Sequence, residues 1–277
     1  MSAMRVRFIA VQASIIALLS LNAIAQDITL VNKNSSFSVN TNVGGGIVDW
    51  TVDGVDYLKN QWFYYRVGGG SESPIQTIDS TPTVATTSLS SFARINLTYA
   101  NASYSVFTSL RLTGNTAGSG KSQLNEDITV ENLSASPLDF HFFQYSDFDL
   151  FGVAGGQNVQ FLQNSINGQY YKVYQTDGTR RVTETITTAV TPVGHFEAGL
   201  YSSTFSSLTD GASTTLGDIT SAGVGDVTFA YQWDVTLAPG ASFQLSKLIE
   251  IAPEPSALSL LALAAFSMAV YRSRSEN

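Results

Sequence analysis

Large apolar side chains alternate with small or polar ones along much of the chain, most regularly near its C-terminal end. In "FAYQWDVTLAPGASFQLSKLIEI" the apolar positions recur at every second residue from Phe229 to Leu237. A period of two places such side chains on one face of a β-strand. Residues 238–240 (Ala-Pro-Gly) then turn the chain, and a second alternating run is interrupted by Lys247. The pattern predicts an antiparallel hairpin that closes the domain.

Two stretches nearer the N-terminus predict further strands. "GIVDWTVDGVDYL" contains Asp53 and Gly54 between β-forming residues, and this pair tolerates the positive φ angles of a two-residue hairpin turn. "QWFYYRVGGG" is apolar and aromatic on both faces, which is typical of a strand that is covered on both sides.

The middle of the chain continues in the same way, through "SYSVFTSLRLTG", "LNEDITVENLS" and "PLDFHFFQYSDFDLFG". Residues 200–208 are the one place where a short helix is expected. Many strands with frequent turn signals and no crossover helices predict an all-β fold, a single large antiparallel β-sandwich over residues 26–252. The rhythm of these three strands resembles the large sandwiches of galactose-mutarotase-like proteins.

The first 25 residues have the layout of a signal peptide. "MSAMRVR" is basic, "FIAVQASIIALLSL" is apolar, and Ala23 and Ala25 satisfy the small-x-small rule for signal peptidase, so cleavage is expected before Gln26. The alternative is an N-terminal membrane helix that is retained.

Residues 253–277 differ sharply from the sequence before them. Pro253, Glu254 and Pro255 precede an apolar run over residues 257–271, which ends at Arg272 and Arg274. Two prolines stop a strand and keep the connection extended. As a helix the run would cover about 23 Å, which is marginal for a bilayer core of about 30 Å. Arginines directly after it suit a cytoplasmic end.

The order of these features resembles the PEP-CTERM sorting signal of Gram-negative bacteria, although Arg-Ser-Arg stands here in place of a dense arginine run. The resemblance implies a tail that anchors the chain transiently in the inner membrane until exosortase, a membrane transpeptidase, cuts near the motif. It also implies export to the cell envelope, cell surface or extracellular matrix, and a link to exopolysaccharide and biofilm. The alternative is an ordinary C-terminal membrane anchor.

Composition limits the chemistry of the domain. The chain has 14 basic and 22 acidic side chains, a formal net charge of −8, and no basic cluster beyond Arg180 and Arg181 outside the ends. An acidic surface repels phosphate backbones, so we expect no nucleic-acid partner. There is no cysteine, which excludes disulfides, thiolate metal sites and cysteine nucleophiles.

The two histidines are the main catalytic candidates. His141 lies in "DFHFFQY", and His195 lies two residues before Glu197. Mutarotase-like enzymes open a sugar ring by proton transfer at two oxygens, which a histidine paired with Glu197 or Glu184 would support. The alternative is that both histidines are packed or solvated strand residues without a catalytic role.

Two weaker patterns concern ligands. Asp147 and Asp149 are two residues apart at a strand end, and they could bind calcium, act as a carboxylate pair, or simply face water. No other cofactor is indicated. Tyr170, Tyr171 and Tyr174 could stack on sugar rings, or contribute to the core as most aromatic side chains do.

Two functional hypotheses follow. The first is an exported, exosortase-processed protein with a structural or carbohydrate-binding role and no enzymatic activity. The alternative is a carbohydrate-active enzyme, mutarotase-like or lyase-like, that needs His141 or His195 beside a carboxylate in an open cleft.

Overall fold

A computed structural model describes residues 20–22, 27–42, 44–189 and 191–254, and in these ranges strands predominate. The predicted short helix is present as α1, Ser203–Ser207. Single 3₁₀ turns occupy Ile75–Thr77 and Leu150–Gly152. The strands, numbered along the chain, are β1 Ser20–Asn22, β2 Asp27–Asn32, β3 Ser35–Asn40, β4 Gly46–Val52, β5 Val55–Asp56, β6 Asn60–Val67, β7 Ser73–Pro74, β8 Thr83–Ser88, β9 Ala93–Ala100, β10 Tyr104–Gly114, β11 Ser122–Asn132, β12 Leu138–Asp147, β13 Gln157–Gln163, β14 Tyr170–Thr176, β15 Arg180–Ala189, β16 His195–Leu200, β17 Ser221–Gly225, β18 Val227–Leu237 and β19 Ser242–Pro253.

The strands form two antiparallel sheets. Sheet A has the order β1-β8-β9-β10-β11-β19-β15-β14-β13-β17, and sheet B has the order β16-β18-β12-β6-β4-β3-β2, with β5 beside β4 and β7 beside β6. The prediction of an all-β, two-sheet antiparallel sandwich is therefore confirmed. The two inner faces meet in an aromatic core. The ring centroid of Trp233 in sheet B lies 6.1 Å from that of Phe142 in the same sheet and 6.5 Å from that of Phe243 in sheet A.

The alternating run from Phe229 to Leu237 buries its five large apolar side chains as predicted. The predicted hairpin is wrong, because β18 belongs to sheet B and β19 to sheet A. Residues 238–240 carry the chain from one sheet to the other. Asn132 Nδ2 fixes this crossing by donating hydrogen bonds to the carbonyl oxygens of Leu237 (2.9 Å) and Ala238 (3.2 Å).

The two predictions made near the N-terminus are confirmed. Asp53 and Gly54 adopt φ angles of 53° and 79° between β4 and β5, as a two-residue turn requires. The Asp53 carboxylate also accepts hydrogen bonds from the backbone N–H groups of Gly118 (2.7 Å) and Gly120 (2.8 Å), and these bonds lower its pKa. Strand β6 is buried on both faces along most of its length.

Lys247, which interrupts the apolar pattern in the sequence, is fully buried between the sheets. Its Nζ lies 2.7 Å from Glu126 Oε2 and 3.2 Å from Glu184 Oε1, and it donates a hydrogen bond to Gln144 Oε1 of the opposite sheet. Gln61 Nε2 donates to Glu126 Oε1 at 2.8 Å. One cation therefore faces two buried carboxylates, and burial raises the pKa of Glu184.

Only a few residues of the two predicted terminal segments are among those that the structure describes. Ser20–Asn22, inside the predicted signal peptide, pairs with β8, while residues 1–19 and 23–26 lie outside the described residues. Strand β19 ends at Pro253. Pro255, Arg272, Arg274 and the apolar run between them also lie outside. Among the residues that are described, no helix is long and apolar enough to cross a membrane.

Candidate functional site

The register of sheet B brings both histidines to one aspartate. His141 on β12 is directly opposite Asp234 on the neighbouring β18, and His195 on β16 is opposite Gln232 on the other side of β18. His141 Nδ1 is hydrogen-bonded to Asp234 Oδ1, and His195 Nε2 lies 3.9 Å from Asp234 Oδ2. Because Phe142 and Trp233 point into the core, the alternating residues His141 and Asp234 face outward.

Each histidine has a second carboxylate. Asp139 Oδ1 lies 3.6 Å from His141 Nε2, and Asp218 Oδ2 lies 3.0 Å from His195 Nδ1. We name His141, His195, Asp139, Asp218 and Asp234 the histidine–aspartate cluster. The side chain of His141 is 16% exposed, whereas the side chains of His195 and Asp234 are each 34% exposed.

A carboxylate beside one ring nitrogen of histidine sets the tautomer and directs the other nitrogen. Two such imidazoles on one face provide both hydrogen-bond donors and acceptors, and they are able to transfer protons to and from a bound hydroxyl group. The cluster is therefore chemically suited to polar ligands rich in hydroxyl groups.

Glu197 has other contacts. Residues 201–220, here called the cover segment, include α1 and lie against sheet B. The ring of Phe205 lies 5.4 Å from that of Tyr145, and the N–H of Leu216 donates a hydrogen bond to Gln232 Oε1 at 3.0 Å. The Glu197 carboxylate accepts hydrogen bonds from Thr204 Oγ1 (2.6 Å) and from the backbone N–H of Gly217 (2.9 Å), both in the cover segment. Glu184 lies in the core with Lys247. The carboxylates beside the histidines are thus Asp139, Asp218 and Asp234, and neither glutamate is among them.

Glu197 is expected to hold the cover segment in place. Replacing Glu197 with Ala removes the acceptor for two hydrogen bonds, and bonds to a charged group contribute about 1.5–3 kcal/mol each. We expect faster hydrogen exchange of the backbone amides of residues 201–220 in Glu197→Ala, measured by mass spectrometry. Glu197→Gln keeps an oxygen for the Thr204 hydroxyl and should show a smaller change. Equal exchange in all three proteins would contradict this role.

The three tyrosines considered for sugar stacking all lie on strand β14 of sheet A. The ring of Tyr170 lies 4.2 Å from that of Phe196 and packs against the core. Tyr174 donates a hydrogen bond to Gln160 Oε1 at 2.7 Å and is covered by the Arg181 guanidinium, 4.6 Å from its ring. Tyr171 is half-buried. Among the described residues, none of the three forms a hydrogen bond or ring contact with the histidine–aspartate cluster.

Asp147 and Asp149 lie at the other end of the same sheet face. Asp147 is the last residue of β12, and Thr228, its partner on β18, is six residues before Asp234. This separation corresponds to about 20 Å along the strand. Asp226, which no sequence pattern singled out, has a carboxylate oxygen within 4.8 Å of an oxygen of each of these two aspartates.

The chain is similar in fold to solved sugar-acting proteins at low sequence identity. A bacterial glucoamylase solved with acarbose matches with a TM-score of 0.56 and 10% identity over 91% of this chain, which spans only 37% of the glucoamylase. A galactose 1-epimerase from Lactobacillus acidophilus NCFM matches with a TM-score of 0.52 and 11% identity, over 86% of this chain and 99% of the epimerase. A galactose mutarotase-like protein from Clostridium acetobutylicum matches with a TM-score of 0.51 and 11% identity, over 86% and 98%.

No protein-family model matches the chain, and no curated protein sequence matches it. At these identities the likeness shows the fold alone. It confirms the resemblance to galactose-mutarotase-like sandwiches that the strand rhythm indicated.

Proposed function

We propose that the protein is an exported sugar-binding β-sandwich whose ligand site is the histidine–aspartate cluster. The observation that carries the proposal is the meeting of His141, His195 and Asp234 on one partly exposed face. Sugar hydroxyls both donate and accept hydrogen bonds, and a few convergent polar groups fix the orientation of such a ligand. The fold supports the proposal, because the similar structures include a galactose 1-epimerase and a glucoamylase complexed with acarbose.

Calorimetric titration of the purified chain tests this proposal. Monosaccharides and bacterial exopolysaccharides are titrated separately into the protein at neutral pH. We expect saturable binding of at least one of them. Absence of heat and of retention on polysaccharide columns, at millimolar sugar, would contradict the proposal.

A second candidate function is a mutarotase-like proton transfer on the bound sugar. The observation that favours it is that each imidazole is hydrogen-bonded to a carboxylate through its Nδ1, which suits an acid and a base acting at two oxygens. Polarimetry of freshly dissolved galactose or glucose distinguishes the two candidates. An accelerated approach to the equilibrium rotation supports catalysis, whereas an unchanged rate with measured binding supports a binding protein.

We also propose that the tail is a processing address read by an exosortase, which releases the domain into the extracellular matrix. In a strain without this transpeptidase, the protein should keep the mass of residues 253–277. An identical mass in both strains would leave the tail as a plain anchor.

The start of that tail is bound to the domain. Glu254 Oε1 accepts hydrogen bonds from Arg181 Nε (2.7 Å) and Thr176 Oγ1 (3.0 Å), and its N–H donates to the carbonyl of Thr179 (2.8 Å). The side chain of Glu254 is only 15% exposed. An enzyme that binds the Glu254 carboxylate must therefore break these hydrogen bonds.

A further inference from the structure

Three carboxylates converge beside the start of the cover segment. Asp147 ends β12, Asp149 follows in the next loop, and Asp226 lies between β17 and β18. Each offers one oxygen, and the three oxygens all lie within 4.8 Å of one another. An ion at the centre of such a triangle would be at most about 2.8 Å from each oxygen, and calcium binds oxygen at about 2.3–2.6 Å. The three carboxylates are therefore close enough together to share one ion.

Two buried oxygens at this place lack a hydrogen-bond partner among the described residues, and one of them, Asn60 Oδ1, does not belong to the acidic cluster. Asp147 is 3% exposed, and its Oδ1 has no hydrogen-bond partner among the described residues. Asn60, directly opposite Asp147 on β6, has a buried Oδ1 that likewise lacks one. Both residues line a cavity of about 120 Å³ together with Tyr145 and Tyr201. Buried oxygens are normally paired, and a bound cation would supply the missing partner.

The three carboxylates have no ion-pair partner among the described residues, although Lys59 lines the same cavity. No described Lys, Arg or His forms an ion pair within 4 Å of the three carboxylates, and Lys59 acts on Asp147 only at longer range. Burial, together with the charges of Asp149 and Asp226, raises the pKa of Asp147 to about 7. Burial also raises the pKa of Asp149, helped by the charges of Asp226 and Asp56.

We propose that Asp147, Asp149 and Asp226, with Asn60 Oδ1, bind one Ca²⁺ ion. All four donors are oxygens, which suits a hard cation and not zinc or copper. Water molecules would complete the coordination shell. The ion would join β6, the loop after β12 and the residue before β18. It would also stabilise the cover segment, because the N–H of Tyr201 donates a hydrogen bond to the Asp226 carbonyl at 2.9 Å.

Calcium titration of the chelator-treated protein tests this site. Isothermal calorimetry should show one Ca²⁺ per chain, and Ca²⁺ should raise the unfolding temperature. Asp226→Asn should weaken binding at least tenfold. Asp127→Asn is the matched control, since it removes one carboxylate from the exposed face of sheet A and should bind as wild type does.

A folding defect is separable from a lost ligand. Without Ca²⁺, Asp226→Asn should unfold at the wild-type temperature or above it, because the substitution relieves repulsion between carboxylates. If that variant fails to fold, Asp149→Asn takes its place, since Asp149 is half-exposed. No binding by wild type at about 5 mM Ca²⁺, above the range of weak extracellular sites, would overturn the proposal. Equal affinities of wild type and the folded variant would also overturn it.

Discussion

Lys247→Met is expected to lower the free energy of unfolding by about 3–5 kcal/mol at pH 8, because removing one partner of a buried ion pair leaves uncompensated charge in the core. Glu126 and Glu184, both completely buried, would then face each other without a cation. Urea unfolding followed by tryptophan fluorescence measures the loss, since all three tryptophans are buried. A Lys247→Met protein within about 1 kcal/mol of wild type would contradict this account of the core.

The loss should depend on pH in a defined direction. Burial raises the pKa of Glu184 above its ordinary value of 4.5, so the folded protein holds this proton at a pH where the unfolded chain has released it. Stability from this group is therefore present below pH 4.5 and is lost as the pH rises through the folded pKa. Without Lys247, the charged form of Glu184 is less stable in the core. The difference in free energy of unfolding between wild type and Lys247→Met should therefore shrink as the pH falls toward 4.5.

A matched variant identifies charge as the cause. Adding Glu126→Gln and Glu184→Gln to Lys247→Met removes the two carboxylates and leaves amide oxygens for Gln61 and Gln144. This triple variant should recover at least half of the lost stability at pH 8, and its stability should no longer follow the titration of Glu184. Failure to recover would assign the loss to packing of the lysine stem.

Asp234→Asn is expected to weaken sugar binding by about 10–100-fold, which corresponds to the loss of one hydrogen bond to a charged group. The Asp234 carboxylate is bonded to His141 and accepts a hydrogen bond from Gln232 Nε2 at 2.8 Å. With an amide in its place, the tautomer of His141 is no longer fixed and the shared acceptor for both histidines is weakened.

Calorimetric titration with the sugar that wild type binds measures this effect. Asp127→Asn again serves as control and should bind normally. Because Asp234 is partly exposed, we expect the variant to unfold near the wild-type temperature, so that lost affinity is not a consequence of unfolding. Wild-type affinity in a folded Asp234→Asn protein would exclude the cluster as the ligand site.

The sequence predicted the strands and their buried faces better than it predicted their neighbours. Alternation reports which face of a strand is buried, and it located the core residues from Phe229 to Leu237. It does not report the sheet that a strand joins, which is why the expected pairing of β18 with β19 failed. Lys247 lies in phase with apolar neighbours, as do Glu126 and Glu184 on adjacent strands. Read together, these in-phase charges would have indicated a buried ion pair.

The sequence also predicted only some of the residues of the candidate site, because it does not report which strands and loops are neighbours. The sequence identified His141 and His195 because histidines are scarce in the chain. It offered Glu197 as a possible partner because this residue is close to His195 in sequence, but the cover segment binds that carboxylate. Asp234 and Asp218 were missed, since their contacts depend on strand register and on the path of a loop. Asp226 was missed for the same reason.

The central claim is that the outer face of sheet B binds sugar at the histidine–aspartate cluster, and the imidazole signals test it most directly. His141 and His195 are the only histidines of the chain, so their side-chain ¹H–¹⁵N resonances are assignable with one substitution. We predict that both sets of resonances shift on addition of the bound sugar, and that Asp234→Asn changes both in the free protein. Sugar binding that leaves both sets of imidazole resonances unshifted would contradict the claim.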